Sequence, residues 1–340
     1  MSGCPDARGR TWPSEQEAVA ANLAAVPLTE ATLRLGDCIE GMATTLAPES
    51  VDLTVTSIPF GALFMYSGKT EDVGNNPDGV DLRGSQFGLH LRFAIEQLFR
   101  VHRPGTNVCI HIQQLLTTKV QHGYMGRRDF RGDVVDMFEA GGFQWHGEVA
   151  IPKNPQAMAQ RQKLHSLLFV TGYRNGRDLA PAVQDYVLIF QKPGEAEPVP
   201  NLYHPEKNPC GWITRSEWIK WAHGSWTDIR ETDVLDGWKR AGDEDDEKHV
   251  CPLQLEVIRR CIKLYSNPGE TVLDPFMGIG STAVVAIELG RQAVGFELKE
   301  SYHVQSLKHV QRAREAREGA RLPVADLFSL CGVDVEAAAA

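Results

Sequence analysis

Two short segments of this 340-residue chain combine residue types that could bind a ligand and assist a reaction at nitrogen. The first is the run Asp274-Pro275-Phe276-Met277-Gly278-Ile279-Gly280-Ser281-Thr282. Glycine is needed where the backbone takes a positive φ or closely approaches a ligand, so Gly278 and Gly280 predict a tight turn between a strand and a helix. The spacing also fits the dinucleotide fingerprint. By itself it leaves three interpretations open: a dinucleotide site, a site for another ligand, and a purely structural turn.

Two carboxylates next to this turn narrow the choice of ligand. Asp274 stands at the tip of the predicted strand, where it can accept a hydrogen bond from an ammonium group and would repel a pyrophosphate. Glu297 ends the following predicted strand and suits the two hydroxyls of a ribose. A carboxylate for a zwitterionic methionine and another for ribose favour S-adenosylmethionine over NAD.

The segment closely resembles the cofactor motif of the amino-methyltransferases that modify DNA at cytosine N4 or adenine N6. The resemblance rests on the D-P-F-x-G-x-G-S-T loop and on the later run Gly295-Phe296-Glu297-Leu298 with Tyr302. It covers roughly residues 32 to 112 and 250 to 310, with weaker matches at 185 to 194. It implies that S-adenosylmethionine is the methyl donor, with these binding residues: Asp37, Asp274, Pro275, Phe276, Gly278, Gly280, Ser281, Thr282 and Glu297.

The second segment is the tetrapeptide Ser57-Ile58-Pro59-Phe60, which follows a predicted buried strand. It resembles the catalytic [D/N/S]-P-P-[Y/F/W] motif of the same family. The lone pair of an exocyclic amine is delocalised into its ring, and two acceptors on its hydrogens favour a pyramidal, nucleophilic nitrogen. The resemblance assigns these acceptors to the side chain of Ser57 and the carbonyl of Ile58, and stacking on a flipped base to Phe60. Ile58 departs from the family's proline, although Pro59 still biases it toward an extended conformation.

The order of the two motifs resembles the permuted beta group of the family, in which the catalytic tetrapeptide comes first and a target-recognition region separates the two. The run Leu35-Gly36-Asp37-Cys38-Ile39-Glu40-Gly41-Met42 resembles the start of that group, where Asp37 would lie near the cofactor. A helix N-cap is an equally good interpretation of Asp37.

The predicted strands alternate with predicted helices, which is typical of an α/β fold with a mostly parallel, doubly wound sheet. We therefore predict a Rossmann-like class I S-adenosylmethionine-dependent methyltransferase fold with an inserted target-recognition region. Residues 30–193 and 251–318 would form its catalytic and cofactor-binding halves, 194–250 the target-recognition region, and 1–29 and 319–340 terminal extensions. Both motifs stand at carboxyl ends of strands and could face one cleft.

The composition excludes some classes of protein but does not itself support DNA binding. The net charge of -9 gives no general basic surface for nucleic acid, so DNA binding must rest on the motifs. The seven cysteines are scattered, which favours a reducing compartment, and we expect a cytoplasmic protein with no metal site. No apolar run approaches the ~20 residues of a membrane span, and no signal peptide is evident.

Several residues between the motifs are candidates for DNA contact. Arg127, Arg128 and Lys153 could bind phosphates, or form a solvated charged surface. Trp212 and Trp221 could stack on bases, or form a small local core. His111 and Gln113 end a predicted strand beside the cleft and could touch the cofactor or the base.

The sequence therefore predicts a DNA methyltransferase that transfers a methyl group from S-adenosylmethionine to an exocyclic amine of a flipped base in double-stranded DNA. Serine at the first motif position is commoner in family members that act on cytosine N4, so that base is favoured over adenine N6. An NAD-dependent oxidoreductase and a methyltransferase of RNA or protein amines are the other interpretations. A restriction endonuclease partner and a homodimer are compatible with this prediction, and the sequence selects neither.

Overall fold

The computed structural model of the chain describes residues 13–59, 84–117, 123–124, 126–161, 168–236 and 252–321. Phe60 and the end of the predicted target-recognition region lie outside these residues, so the stacking role of Phe60 stays a prediction from sequence.

The described residues contain nine strands and ten α-helices. The strands are β1 Ala31–Leu35, β2 Val51–Ser57, β3 His102–Gln113, β4 Leu115–Thr117, β5 Gly126–Arg128, β6 Gln144–Ile151, β7 Asp185–Gln191, β8 Thr271–Asp274 and β9 Gln292–Glu297. The helices are α1 Glu15–Ala25, α2 Cys38–Thr45, α3 Gln86–Val101, α4 Phe130–Ala140, α5 Pro155–Arg161, α6 Phe169–Arg174, α7 Arg215–Trp221, α8 Leu255–Tyr265, α9 Ser281–Glu288 and α10 Glu300–Arg321. None of the described helices is long and apolar enough to span a membrane.

Local sequence explains where the main helices begin and which side they bury. The hydroxyl of Ser85 accepts from the backbone N–H of Gly88 and so caps α3. Apolar residues then recur on one side of that helix, where Phe87, Leu91 and Ile95 are buried. In β2, by contrast, every residue from Val51 to Thr56 is buried, as expected for a strand covered on both faces.

Seven strands form one sheet in the order β1-β9-β8-β2-β3-β7-β6. Neighbours from β1 to β3 are parallel, whereas β7 is antiparallel to both β3 and β6. One apolar layer joins α2, α3 and α4 to one face of the sheet. A second layer joins α8, α9 and α10 to the other. The predicted fold class, a mostly parallel doubly wound sheet of Rossmann-like type, is confirmed.

The described part of the predicted target-recognition region packs onto α1 and α8. Tyr203, Trp212 and Trp221 form an apolar cluster with Ala18 and Val19 of α1. The sequence did not predict α5, α6, α7 or the small β4–β5 hairpin. These elements are three to seven residues long, too short to show a clear apolar period. The proposed segment boundaries stay predictions.

Candidate active site

The two motifs meet at the carboxyl edge of the parallel strands. Ser57 ends β2, and Asp274 ends the neighbouring strand β8. The hydroxyl of Thr56, directly before Ser57, donates to Oδ1 of Asp274 over 2.6 Å. This buried hydrogen bond connects the strand that leads into the tetrapeptide to the glycine loop.

The glycine loop takes the conformation that its sequence predicts. Gly278 has φ 57° and Gly280 has φ 91°, and Gly280 caps α9. A Cβ on Gly280 would come within 2.9 Å of Cβ of Ser306, whereas a Cβ on Gly278 would meet nothing within 4 Å. Gly280 is therefore required for close packing of α10, and Gly278 borders open space on the side where a ligand could lie.

Glu297 holds the loop with its carboxylate. Its two oxygens accept from the backbone N–H groups of Gly278 and Lys299, each over 2.8 Å. Burial raises the pKa of Glu297 to about 7, and the nearby negative charge of Asp274 adds to that rise. The loop and the second carboxylate are thus one hydrogen-bonded unit.

Asp274 is the other buried acid of this unit. Its Oδ1 also accepts from the backbone N–H of Phe276 over 3.1 Å. Burial raises its pKa to about 6, even though the hydrogen bonds that it accepts act in the opposite direction. No basic side chain within the described ranges forms an ion pair with Asp274 or Glu297. The site therefore suits a cationic ligand and disfavours a pyrophosphate.

Four more of the predicted cofactor-binding residues stabilise the loop from beneath. Ser281 and Thr282 are buried at the start of α9, and the hydroxyl of Thr282 donates to the carbonyl of Val55 over 3.2 Å. The ring of Phe276 packs partly buried against the core below the sheet edge. Pro275 is buried as well. These contacts fix the height of the loop relative to β2.

Asp37 lies just after the end of β1, the strand next to β9 in the sheet. Its Oδ1 accepts from the backbone N–H of Glu40 over 2.8 Å, so the N-cap interpretation is confirmed. The backbone N–H of Gly36 donates to the carbonyl of Glu297 over 2.8 Å, which brings this cap beside the glycine loop. Contact between Asp37 and a cofactor stays a prediction.

On the catalytic side, the hydroxyl of Ser57 lies 3.0 Å from Nδ1 of His111. The other ring nitrogen of His111, Nε2, lies 3.1 Å from Oδ2 of Asp185. Lys153 Nζ is 2.6 Å from the same oxygen, and the amide of Gln113 donates to Oδ1 over 2.7 Å. Ser57, His111, Gln113, Lys153 and Asp185 are called the histidine cluster below.

Sequence reasoning noted His111 and Gln113 but missed Asp185. The signal was available: Asp185 is the first residue of a strong apolar strand, and an antiparallel strand begins at the edge where its parallel neighbours end. Ile58, the departure from the family motif, is 2% exposed and packs in the core cluster. An apolar side chain thus replaces the ring of proline without placing a polar group in the core.

Three of the candidate DNA contacts belong to the interior. The side chain of Lys153 is buried in the histidine cluster, so it is withdrawn from a phosphate-binding surface. The indole of Trp212 donates to the carbonyl of Lys263, and the guanidinium of Arg291 stacks on its ring. Trp221 is 6% exposed and contacts the cation of Arg260. Both tryptophans therefore form the local core that was the alternative interpretation, and their rings do not reach the surface.

The two arginines of β5 remain near the surface. Arg127 is exposed and donates to the carbonyl of Pro181. Arg128 lies 3.6 Å from a carboxylate oxygen of Asp133, and one fifth of its side chain is accessible to solvent. Phosphate binding by this pair stays a prediction.

Comparison with known proteins agrees with this geometry. The sequence model of the DNA methylase family, which covers enzymes of the N6 and N4 type, matches residues 51–308. The type II methyltransferase M.MjaI of Methanocaldococcus jannaschii is 28% identical over 214 residues, which cover 61% of this chain and 61% of that protein. M.BglI of Bacillus subtilis is 33% identical over 130 residues, which cover 37% of this chain and 30% of that protein. The chain thus spans less than two thirds of the length of either relative.

Solved structures share the fold. TTHA0409 of Thermus thermophilus, described as a putative DNA modification methylase and solved in complex with S-adenosyl-L-methionine, superposes with a TM-score of 0.59 at 23% identity, covering 83% of this chain and 94% of that one. The cytosine-N4-specific PvuII DNA methyltransferase superposes with a TM-score of 0.53 at 14% identity, covering 85% and 93%. With the family match across most of its length, and with both motifs joined at one sheet edge, this chain belongs to the N6/N4 DNA methylase family.

Proposed function

We propose that this protein transfers a methyl group from S-adenosylmethionine to an exocyclic amine of a base in double-stranded DNA, with cytosine N4 as the favoured target. The observation that carries the proposal is the hydrogen bond from Thr56 to Asp274. It fixes the acceptor Ser57 next to a buried acid of the glycine loop, although the two lie far apart in the chain.

The residues around the loop fit this methyl donor. S-adenosylmethionine supplies an electrophilic methyl group on a sulfonium sulfur, and it carries a second positive charge on its ammonium group. Asp274 and Glu297 are buried, and both have raised pKa values. A cation beside them favours their ionised forms, and ionised Glu297 can also accept from ribose hydroxyls. Gly278 leaves the space that a ligand over the loop requires.

Ser57 and Ile58 then act on the amine. A hydroxyl oxygen and a backbone carbonyl can each accept one amine hydrogen, which withdraws the nitrogen lone pair from the ring. Phe60 is proposed to stack on the flipped base, following its place in the family motif. Holding the amine beside the loop brings the reacting atoms to near-attack distance, and such positioning can supply several kcal/mol of the barrier reduction, roughly 7–11 in favourable model reactions.

Cytosine N4 is favoured because the first motif residue is Ser57, the type commoner in family members with that target. Adenine N6 is the second candidate. A restriction endonuclease partner and a homodimer stay predictions.

Transfer of a tritiated methyl group to duplex DNA, followed by nucleoside analysis, tests the proposal. We expect label in N4-methylcytosine. Label in N6-methyladenine would reverse the base preference, and label only in an RNA of the same sequence or in protein would overturn the DNA substrate. A ligand-binding assay in which NAD binds and S-adenosylmethionine does not would overturn the proposal entirely.

Single substitutions test which residues act on the amine and which bind the methyl donor. Ser57→Ala should lower kcat by ~1000-fold and leave the Kd for S-adenosylmethionine within ~3-fold, because the hydroxyl contacts the amine and not the donor. Ser50→Ala is a matched control: Ser50 precedes the opposite end of β2, where its hydroxyl donates to the carbonyl of Ala47, and wild-type kcat is expected. Loss of donor binding in Ser57→Ala would show that the two halves of the site are misassigned.

A further inference from the structure

The histidine cluster contains the same three residue types as a nucleophilic serine triad. Ser57 is at the end of β2, His111 is opposite it on β3, and Asp185 begins β7. The contacts run in sequence, 3.0 Å from Ser57 Oγ to Nδ1 and 3.1 Å from Nε2 to Asp185 Oδ2. The backbone register of three adjacent strands fixes all three side chains.

Lys153 distinguishes this cluster from a nucleophilic triad. Its ammonium lies 2.6 Å from Oδ2 of Asp185, the oxygen that His111 also contacts, and both side chains of the ion pair are at least nine-tenths buried. Burial alone would raise the pKa of Asp185, but the hydrogen bonds from His111 and Lys153 and the positive charge of Lys153 hold that pKa below its ordinary value. Asp185 is therefore ionised, and its charge is already compensated by Lys153.

These charges determine which nitrogen of His111 carries the proton. An ionised carboxylate only accepts hydrogen bonds, so Nε2, which faces Asp185, must donate. A neutral imidazole carries a proton on only one ring nitrogen. With that proton on Nε2, Nδ1 is an acceptor, so the hydroxyl of Ser57 donates its hydrogen to Nδ1.

We propose that His111 is a positioning residue for methyl transfer, which keeps the hydrogen of Ser57 turned toward the ring so that the oxygen lone pairs face the incoming amine. The proposal rests on the proposed function, since it assigns Ser57 as the acceptor for the amine. Lys153 and Asp185 act one step further away, by holding His111 in the tautomer with the proton on Nε2. The cluster orients an acceptor and does not generate a nucleophile.

The same arrangement predicts a dependence on pH. If His111 gains a proton, Nδ1 becomes a donor to Ser57, and the hydroxyl hydrogen must turn toward the amine, where it opposes the amine hydrogens. Ser57 from β2 and Asp185 from β7 contact the ring, and Lys153 from the segment after β6 contacts Asp185. Methyl transfer should therefore fall on the acid side, and Lys153 should set where that fall occurs.

The tautomer can be measured without any ligand. The full chain is labelled with ¹⁵N-histidine, and the signal of His111 is identified by its loss in His111→Gln. We expect Nε2 to show the protonated and Nδ1 the unprotonated ring-nitrogen shift at pH 8, and Asp185→Asn to mix the two tautomers. His146→Gln is the matched control. His146 is exposed and lies near the start of β6, whereas Lys153 follows the end of that strand, so the loss of His146 should leave the His111 signal unchanged. A proton on Nδ1 in the wild type overturns the proposal.

Kinetics test the consequence for the reaction. His111→Leu should lower kcat by ~100-fold, with KM for DNA and Kd for the donor nearly unchanged, since the ring acts only through Ser57. His111→Gln offers a carbonyl oxygen that does not titrate, so it should recover part of kcat and lose the fall on the acid side. Lys153→Met should move that fall to higher pH, because uncompensated Asp185 then favours the imidazolium.

The outcomes separate this proposal from the one on which it rests. If the wild type transfers no methyl group, the proposed function fails, and the tautomer measurement still judges the cluster. If it transfers methyl groups, equal losses in His111→Leu and His111→Gln with an unchanged pH profile overturn the positioning role. Covalent labelling of Ser57 by a fluorophosphonate also overturns it, because an activated nucleophile would then be present.

Discussion

The glycine loop and the histidine cluster lie at the same edge of one sheet, and both contain buried acids, but they treat negative charge in opposite ways. Asp274 and Glu297 have no basic partner among the described residues, and burial raises both pKa values, to about 6 and about 7. Asp185 has Lys153 at 2.6 Å, and its pKa is lowered. The comparison teaches that the loop leaves its acids unpaired, as a cationic ligand requires, while the cluster pairs Asp185 with Lys153 and uses the same carboxylate to hold the ring beside Ser57.

The largest expected effect tests the acids of the glycine loop, which have no basic partner among the described residues. Asp274→Asn keeps the shape of the side chain and an acceptor for Thr56 but removes the charge, so the Kd for S-adenosylmethionine should weaken by ~100-fold. Isothermal titration calorimetry measures it. Asp185→Asn is the matched change in the histidine cluster, and it should leave that Kd within a few-fold. Equal weakening in both variants would erase the distinction between the two acids.

The next effect concerns the free energy of unfolding and tests the ion pair of the histidine cluster. Lys153→Met leaves the buried charge of Asp185 without its ammonium partner, so the free energy of unfolding should fall by ~2–3 kcal/mol at pH 8. Asp274→Asn should act in the other direction, raising the free energy of unfolding of the ligand-free protein by ~1 kcal/mol, because an uncompensated buried acid is removed. Urea denaturation followed by circular dichroism gives both values. Changes of the same sign would contradict the charge assignment.

The pH dependence of donor binding sharpens the comparison. The folded-state pKa values of Asp274 and Glu297, about 6 and about 7, lie above their ordinary values near 4. Ionisation of these groups therefore costs stability as the pH rises through that window, and a bound cation recovers the loss. Donor affinity should fall by roughly tenfold per pH unit between about 7 and about 6 and more steeply below about 6, where both acids are protonated, with protons released on binding near neutral pH. A Kd that is constant between pH 5 and pH 8 would rule out an uncompensated pair of acids.

The smallest effect concerns the loop itself. Gly278→Ala adds a Cβ that meets nothing within 4 Å but must adopt φ 57°, so the free energy of unfolding should fall by ~1 kcal/mol. Donor affinity should weaken more than that strain explains if a ligand occupies the space above Gly278. Thermal unfolding with and without the donor separates the two contributions. A variant destabilised equally in both conditions would place the ligand elsewhere.

Sequence reasoning recovered the parts of the site that are local in the chain. The glycine loop, Glu297 and the tetrapeptide each lie at the end of a strand that can be recognised in the sequence by its run of apolar residues. Their meeting at one edge could therefore be predicted from the rule for parallel strands. The histidine cluster could not be assembled in this way. Asp185 enters from an antiparallel strand and Lys153 from an irregular segment, and their pairing depends on tertiary register.

The burial of the tryptophans could not be predicted for a related reason. The sequence left two interpretations of Trp212 and Trp221 open, stacking on bases and a small local core. Their packing on α1 and α8, which come from distant parts of the chain, decides for the core. Lys153 was interpreted as a surface cation because its partner was not identified. In both cases a long-range contact, invisible in the local pattern, determined the burial.

The strand order has a consequence for synthesis of the protein. β8 and β9 come late in the chain, yet they insert between β1 and β2, which are made first. Until residues 271–297 have left the ribosome, β1 and β2 have no hydrogen-bonding partners on the sides that face each other. A nascent chain with two such unpaired strand edges folds slowly and is prone to association with other chains. Completion of the sheet, and with it the joining of Thr56 to Asp274, is thus a late event on the folding pathway.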